Sequence, residues 1–189
     1  MRAPARPRLL GIDDGPFTKG VDVSTPIVAV FMEGSDRIEG VALRRFPVDG
    51  EDVTDFLAAW IAELRFRPAA HGVVLGGVTI AGLAVVDLPA LAAAIGLPVI
   101  AVSRRDPSSH HVADALRAAG LVARLPLLER APAAFEVDGA LHAAVAGASS
   151  EQARAWLLAA RGKSTLPEPL RVAHLVAAAV ARGSSRGRA

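Results

Sequence analysis

The chain contains no cysteine and no tyrosine. The first absence excludes a disulfide frame, a thiol nucleophile and any zinc site built on thiolates, and nothing asks for an oxidising compartment. Lysine is nearly missing too: Lys19 and Lys163 are the only ones, so the basic side chains are almost all arginine. No segment reads as a signal peptide, because residues 1–8 are rich in Pro and Arg and the apolar run behind them, Leu9 to Ile12, is short. The apolar stretch 72–103 is broken by Asp87, Pro89, Gly96 and Pro98, so it does not read as a membrane span. The Gly-rich segment 76–82 has neither the spacing of a phosphate loop nor that of a dinucleotide fingerprint, and no GxSxG or HExxH occurs. The expectation is a cytoplasmic protein with no membrane partner and no nucleotide cofactor.

What remains is an apolar chain of 189 residues, 52% of them hydrophobic. This length suits one domain spanning 1–189, with flexible ends at 1–7 and 184–189. Such a chain buries roughly two-thirds of its unfolded surface. Net charge is only +2. Arginine binds phosphate well through its planar fork, so the composition is compatible with nucleic acid as a partner.

Residues 8–12, 25–32 and 37–46 read as strands, with Glu33-Gly34-Ser35-Asp36 as a hairpin turn. No helical pattern separates them, which predicts antiparallel neighbours. The pattern then changes. Val53, Phe56, Leu57, Trp60, Ile61 and Leu64 recur at helical spacing, with Asp52 where an N-cap belongs. Further on, 71–77 reads as a buried strand, Asp87–Ile95 as a helix, 98–103 as a strand and Ser109–Ala119 as a helix. Residues 133–147 hold one or two short strands, Ser149 and Gln152 open a helix to Arg161, and Pro169 opens a last helix that Gly183 ends. The whole predicts an α/β fold with a mixed sheet, its βαβ part parallel.

Three polar clusters sit on this scaffold. The first strand ends in Asp13-Asp14, followed by Gly15-Pro16. Ligands collect at the carboxyl ends of strands in α/β sheets, so the pair is either a site or a polar turn, and strand parity sends its two side chains to opposite faces. The segment "VDGEDVT" gathers Asp49, Glu51 and Asp52 at a helix start, where acids also serve to cap amides. The segment "PEPLRVAHL" places Arg171 and His174 three residues apart on one face of a mostly apolar helix, where both need acidic partners.

Taken together, "GIDDG", "VDGEDVT", "GGVTIAGLAVVDLPALAAAIGLPVIAV" and "PEPLRVAHLVAAAVARGSSRGR" resemble the domain of unknown function 99 family. That family is similar to endonuclease V and so to the ribonuclease H-like fold: three antiparallel strands, then alternating strands and helices. The resemblance implies a metal-dependent endonuclease that hydrolyses phosphodiesters of DNA or RNA with Mg2+ or Mn2+. It implies Asp13 as one metal ligand and Asp52, or its neighbours Asp49 and Glu51, as the second acid, with His174 and Arg171 completing the catalytic set. Asp14 is a weaker candidate as a substitute ligand, against which its strand parity argues. One departure stands out. Endonuclease V carries an Asp-Gly pair on its fourth strand, where this chain has Gly76-Gly77. The missing acid gives a second expectation, a nucleic-acid-binding protein on the same fold that has lost part of its metal site.

Overall fold

The computed structural model describes residues 6–104 and 110–186. Ser109 and the outer parts of the two expected flexible ends lie outside the described residues.

Strands β1 (Arg8–Asp14), β2 (Ser24–Glu33) and β3 (Arg37–Pro47) form an antiparallel meander, with Arg8 opposite Glu33 and Asp14 opposite Ile27. On its other side β1 pairs in parallel with β4 (Gly72–Leu75), which pairs in parallel with β7 (Val99–Ser103). Strand β9 (His142–Ala146) runs antiparallel to β7, and β8 (Phe135–Glu136) closes that edge. The sheet order is therefore β3-β2-β1-β4-β7-β9-β8, a seven-stranded mixed sheet. A separate hairpin, β5 (Thr79–Ile80) with β6 (Ala84–Val85), projects between β4 and β7. The sequence pattern did not reveal it, because a two-residue strand has no periodicity to read.

Helices cover both faces. Helices α1 (Val53–Glu63) and α2 (Leu88–Ile95) bury Leu57, Ile61, Leu88 and Leu91 against Leu10, Ile12 and Leu75. On the opposite face, α5 (Ser150–Ala159) buries Trp156 and Leu157 against Leu9, Val74 and Ile100. Helix α6 (Glu168–Arg182) lies beside it and seats Ala173 and Ala177 on Val28, Val30 and Met32. With both faces covered, β2 buries eight consecutive residues and shows no alternation, whereas β3, at the edge, is mostly exposed. Along β1, alternation sends Leu10 and Ile12 toward α1 and α2, and Leu9 toward α5.

Caps follow the sequence with one exception. Asp87 accepts from the Ala90 amide at 3.0 Å, Ser149 accepts from Gln152, and Gly183 ends α6 with φ 75°. Asp52 does precede α1, but its backbone is left-handed (φ 55°) and its side chain makes no capping bond. An N-cap bond needs the extended backbone that Asp87 and Ser149 adopt. Helices α3 (His111–Ala118) and α4 (Leu125–Glu129), in the connection from β7 to β9, bury only Leu116. No helix among the described residues is long and apolar enough to cross a membrane.

Candidate functional site

The site is built where β1 ends against α6. At Gly11 a Cβ would lie 2.2 Å from the carbonyl carbon of Pro169. Only glycine allows a helix backbone to approach a strand this closely. The contact carries the first turns of α6 onto the Leu9–Gly11–Asp13 face of β1, and His174 reaches Asp13: Nδ1 lies 2.9 Å from Oδ2. The carboxylate is mostly enclosed, at 18% exposure, and the imidazole is 58% exposed. The hydrogen bond to Asp13 raises the His174 pKa above its ordinary value, and the charges of Asp13 and Asp14 add to this. Partial burial and Arg104 act the other way. With Nδ1–H given to Asp13, Nε2 is the nitrogen left for a substrate.

Arg171 lies one turn before His174 and pairs with an acid, as its setting on an apolar helix predicts. The partner is Glu168 rather than a strand carboxylate. Arg171 Nε donates to both Glu168 oxygens at 2.9 Å, and Nη2 donates to Oε2 at 2.6 Å. Glu168 is buried. Sequence reading passed over it because it stands between two prolines that mark a helix entry. Its spacing from Arg171, i to i+3, was the available signal.

The remaining acids go elsewhere. Asp14 points away from α6, toward the Ala81 backbone. Burial pushes its pKa up to about 7, and the charge of Asp13 adds to the rise. Its own backbone N–H and that of Ala81 oppose it, as does His174. Asp49 holds the tip of the β5–β6 hairpin: Oδ1 accepts from the Leu83 amide at 2.7 Å, and Lys19 Nζ is 3.5 Å from Oδ2. Arg124 fastens the same corner by donating to the carbonyls of Leu83 and Asp49. Asp52 is exposed.

Asp13, His174 and Arg171 line one cleft of about 1050 Å³, whereas Asp14, Asp49 and Asp52 are not among its lining residues. Four of the chain's five histidines, His110, His111, His142 and His174, line it. Among the described residues, Arg104, Arg117, Arg171 and Arg186 line it as well, with Asp13 and Glu129 as the acids of the lining, and Arg117 and Arg171 also pair with Asp114 and Glu168. A cleft with this excess of cationic groups attracts an anionic ligand. Gly76 is at its floor, and a Cβ there would stand 2.9 Å from Asp13 Oδ1. The place where the fourth-strand acid was expected therefore adjoins Asp13 directly, and a side chain could enter only if Asp13 moved.

The fit to a divalent cation follows from these positions. Among the described residues no group of three or more His, Asp and Glu side chains could hold a metal ion. The cationic partner nearest Asp13 Oδ2 is the His174 imidazole. The residues as arranged do not form the two-ion carboxylate cage that two-metal phosphodiester hydrolysis requires.

Comparison with known proteins is consistent along nearly the full length. The endonuclease dU family model matches residues 5–181. The UPF0215 protein of Thermococcus kodakarensis is 37% identical over 185 residues, covering 95% of this chain and 94% of that protein. The UPF0215 protein of Methanothermobacter thermautotrophicus is 34% identical, covering 96% and 91%. Among solved structures, a protein of unknown function from Archaeoglobus fulgidus superposes with a TM-score of 0.83 at 29% identity, over 92% of this chain and 98% of that one. Endonuclease V of Ciona intestinalis, solved with a 24mer DNA containing an inosine followed by a ribo-adenosine, gives a TM-score of 0.54 at 13% identity, over 89% and 82%. Endonuclease V of Streptomyces avermitilis gives 0.54 at 19%, over 91% and 80%. These last two show a shared mixed α/β fold. On the match of the family model and the relatives, the chain belongs to the endonuclease dU family.

Proposed function

We propose that this protein acts on nucleic acid as an endonuclease V-like phosphodiesterase, on a fold of ribonuclease H-like type. The observation that carries the reading is the Asp13–His174 pair in a cleft with four arginines. Arginines supply phosphate contacts, and a histidine oriented by a carboxylate supplies a group that gives or takes a proton at a phosphodiester oxygen. In the hydrolysis a water oxygen bonds to phosphorus as the P–O bond to the leaving oxygen breaks. Asp13 holds the ring and favours its charged form, so His174 Nε2 gives its proton to that leaving oxygen while the attacking water loses a proton to solvent. Arg171 faces the same cleft as a phosphate contact. The DNA bound to the Ciona neighbour supports nucleic acid as the ligand class.

The direct test is cleavage of inosine-containing DNA, and of structured or deaminated DNA and RNA, by the protein and by Asp13→Asn and His174→Ala. Each variant is expected to lose about 100-fold or more in rate, the size of a general acid–base contribution. Undiminished cleavage by both would sink the reading. Mg2+ or Mn2+ at Asp13 is a separate proposal; Asp52, Asp14 and Asp49, the other expected ligands, do not line the cleft and would join the ion only after rearrangement. Bound metal would have to take Asp13 from His174. Titrating Mn2+ while following the His174 ring by NMR checks this: paramagnetic broadening confined to His174 supports the ion, and an unchanged ring excludes it from Asp13.

A second reading is favoured by Gly76. With no acid beside Asp13, and with Asp13 satisfied by His174, the cleft is suited to binding nucleic acid without cutting it. Salt-sensitive binding with no product in any metal would select this reading.

A further inference from the structure

Glu168 is a buried carboxylate that the proposed chemistry leaves without a role. Its surroundings are specific. Its amide donates to the Ala160 carbonyl at 2.8 Å, and an isolated bridge joins Arg161 to Pro167, so the residue is held at the mouth of a pinched loop. Gly162 forms its shelf: a Cβ at 162 would stand 2.8 Å from Glu168 Oε1. Both carboxylate oxygens are given to Arg171, through Nε and Nη2. This is the side-on fork geometry that fixes a guanidinium plane as well as its position. It leaves Arg171 Nη1 without a hydrogen bond to any described residue, on a side chain that is 32% exposed and lines the cleft beside His174. Glu168, Arg171 and His174 follow one another at three-residue steps along α6, so one helical stripe carries the anchor, the arginine and the histidine.

We infer that Glu168 is a positioning residue: it locks the guanidinium of Arg171 so that its open edge meets a phosphate oxygen next to the Asp13–His174 pair. The inference rests on the proposed nucleic-acid function and deepens it. An arginine free to rotate would keep its charge but lose the orientation that makes the contact. A charge-only role gives the opposite sign, because Glu168 then merely neutralises Arg171, and removing its charge would strengthen binding. A purely structural pair gives a third pattern, a loss of stability with no change in affinity.

The experiment measures binding of a fluorescent inosine-containing DNA duplex across a series of salt concentrations, with thermal melting of each protein alongside. The proteins are the wild type, Glu168→Gln, Arg171→Lys, Arg171→Gln and Gly162→Ala. Arg171→Gln is expected to weaken binding roughly tenfold at moderate salt and to lower the salt slope by about 0.9, one phosphate contact. Glu168→Gln and Arg171→Lys, which keep the arginine or the charge but lose the fork, are expected to reproduce most of that loss. Gly162→Ala, which pushes on the carboxylate without touching the arginine, is expected to give a smaller loss in the same direction. Should Glu168→Gln fail to fold, Arg171→Lys and Gly162→Ala carry the test. Tighter or unchanged binding by the folded variants overturns the positioning role. A wild type with no salt-dependent binding overturns the nucleic-acid reading itself, a result distinct from a variant pattern that contradicts Glu168 alone.

Discussion

Two carboxylates adjacent in sequence lead different lives here. Asp13 turns toward α6, receives His174 at 2.9 Å and lines a cationic cleft. Asp14, one residue on, turns toward the hairpin side, where burial lifts its pKa to about 7. The difference comes from the two-residue period of a strand and from what covers each face. On the α6 side a helix brings an imidazole. On the other side the neighbouring acid, Asp49, is already committed to the Leu83 amide and to Lys19. An acid pair at a strand end is thus two separate decisions, each made by the layer it faces.

The largest effect that would sharpen this contrast is on the Asp14 side. A carboxyl with a folded pKa near 7 and an ordinary unfolded value of 3.8 binds its proton more tightly in the native state. Stability is then fullest below about pH 4, declines as pH rises toward 7, and is flat beyond, by up to roughly 4 kcal/mol. Asp14→Asn is expected to remove that decline and to be more stable than wild type at pH 8, but not at pH 4, by denaturant melts. An unchanged pH profile would mean that Asp14 is solvated after all.

Next comes the seam between β1 and α6. Gly11→Ala places a methyl against the Pro169 backbone and is expected to cost about 3 kcal/mol or more by urea denaturation. If the variant still folds, its His174 pKa should fall back toward the ordinary value as the ring parts from Asp13. A smaller effect concerns the hairpin corner. Asp49→Ala strips the Leu83 amide of its acceptor, with an expected loss of about 1–2 kcal/mol and no effect on nucleic-acid affinity. Loss of affinity there would join the two regions that the fold keeps apart.

The smallest effect is the pH dependence contributed by His174. Its folded pKa is raised, so the pair stabilises the fold below the ordinary histidine value, and this contribution fades as pH rises through the raised value. Asp13→Asn should erase it, and by removing the charge that adds to the Asp14 rise it should narrow the Asp14 decline at lower pH without abolishing it, because burial is the larger cause. An imidazole titration followed by NMR separates the two.

Much of this was legible in the sequence. The meander, the parallel strands β4 and β7, the stripe of α1 and the limits of α6 follow from periodicity and from Asp87, Ser149, Gly96 and Gly183. Strand parity correctly separated Asp13 from Asp14. The partners were harder to read. Arg171 was seen to need an acid, yet Glu168 hid between prolines. His110, His111 and His142 share no sequence pattern with His174, yet the fold brings all four to the lining of one cleft. Asp49 and Asp52 looked alike in sequence, but one supports a hairpin that has no periodic signature and the other is exposed in a left-handed turn. Long-range partners are set by topology, and local patterns do not encode them.

The close contact at Gly11 also has a consequence in time. The strand that carries Asp13 is made well before the helix it must touch. On a ribosome adding on the order of 5–20 residues per second, the early strands can form while His174 is still unwritten. The nascent protein therefore holds an incomplete centre until α6 settles into the groove that a missing side chain leaves open. A chain cut short before Pro167 would keep the acid and lack everything that orients or answers it.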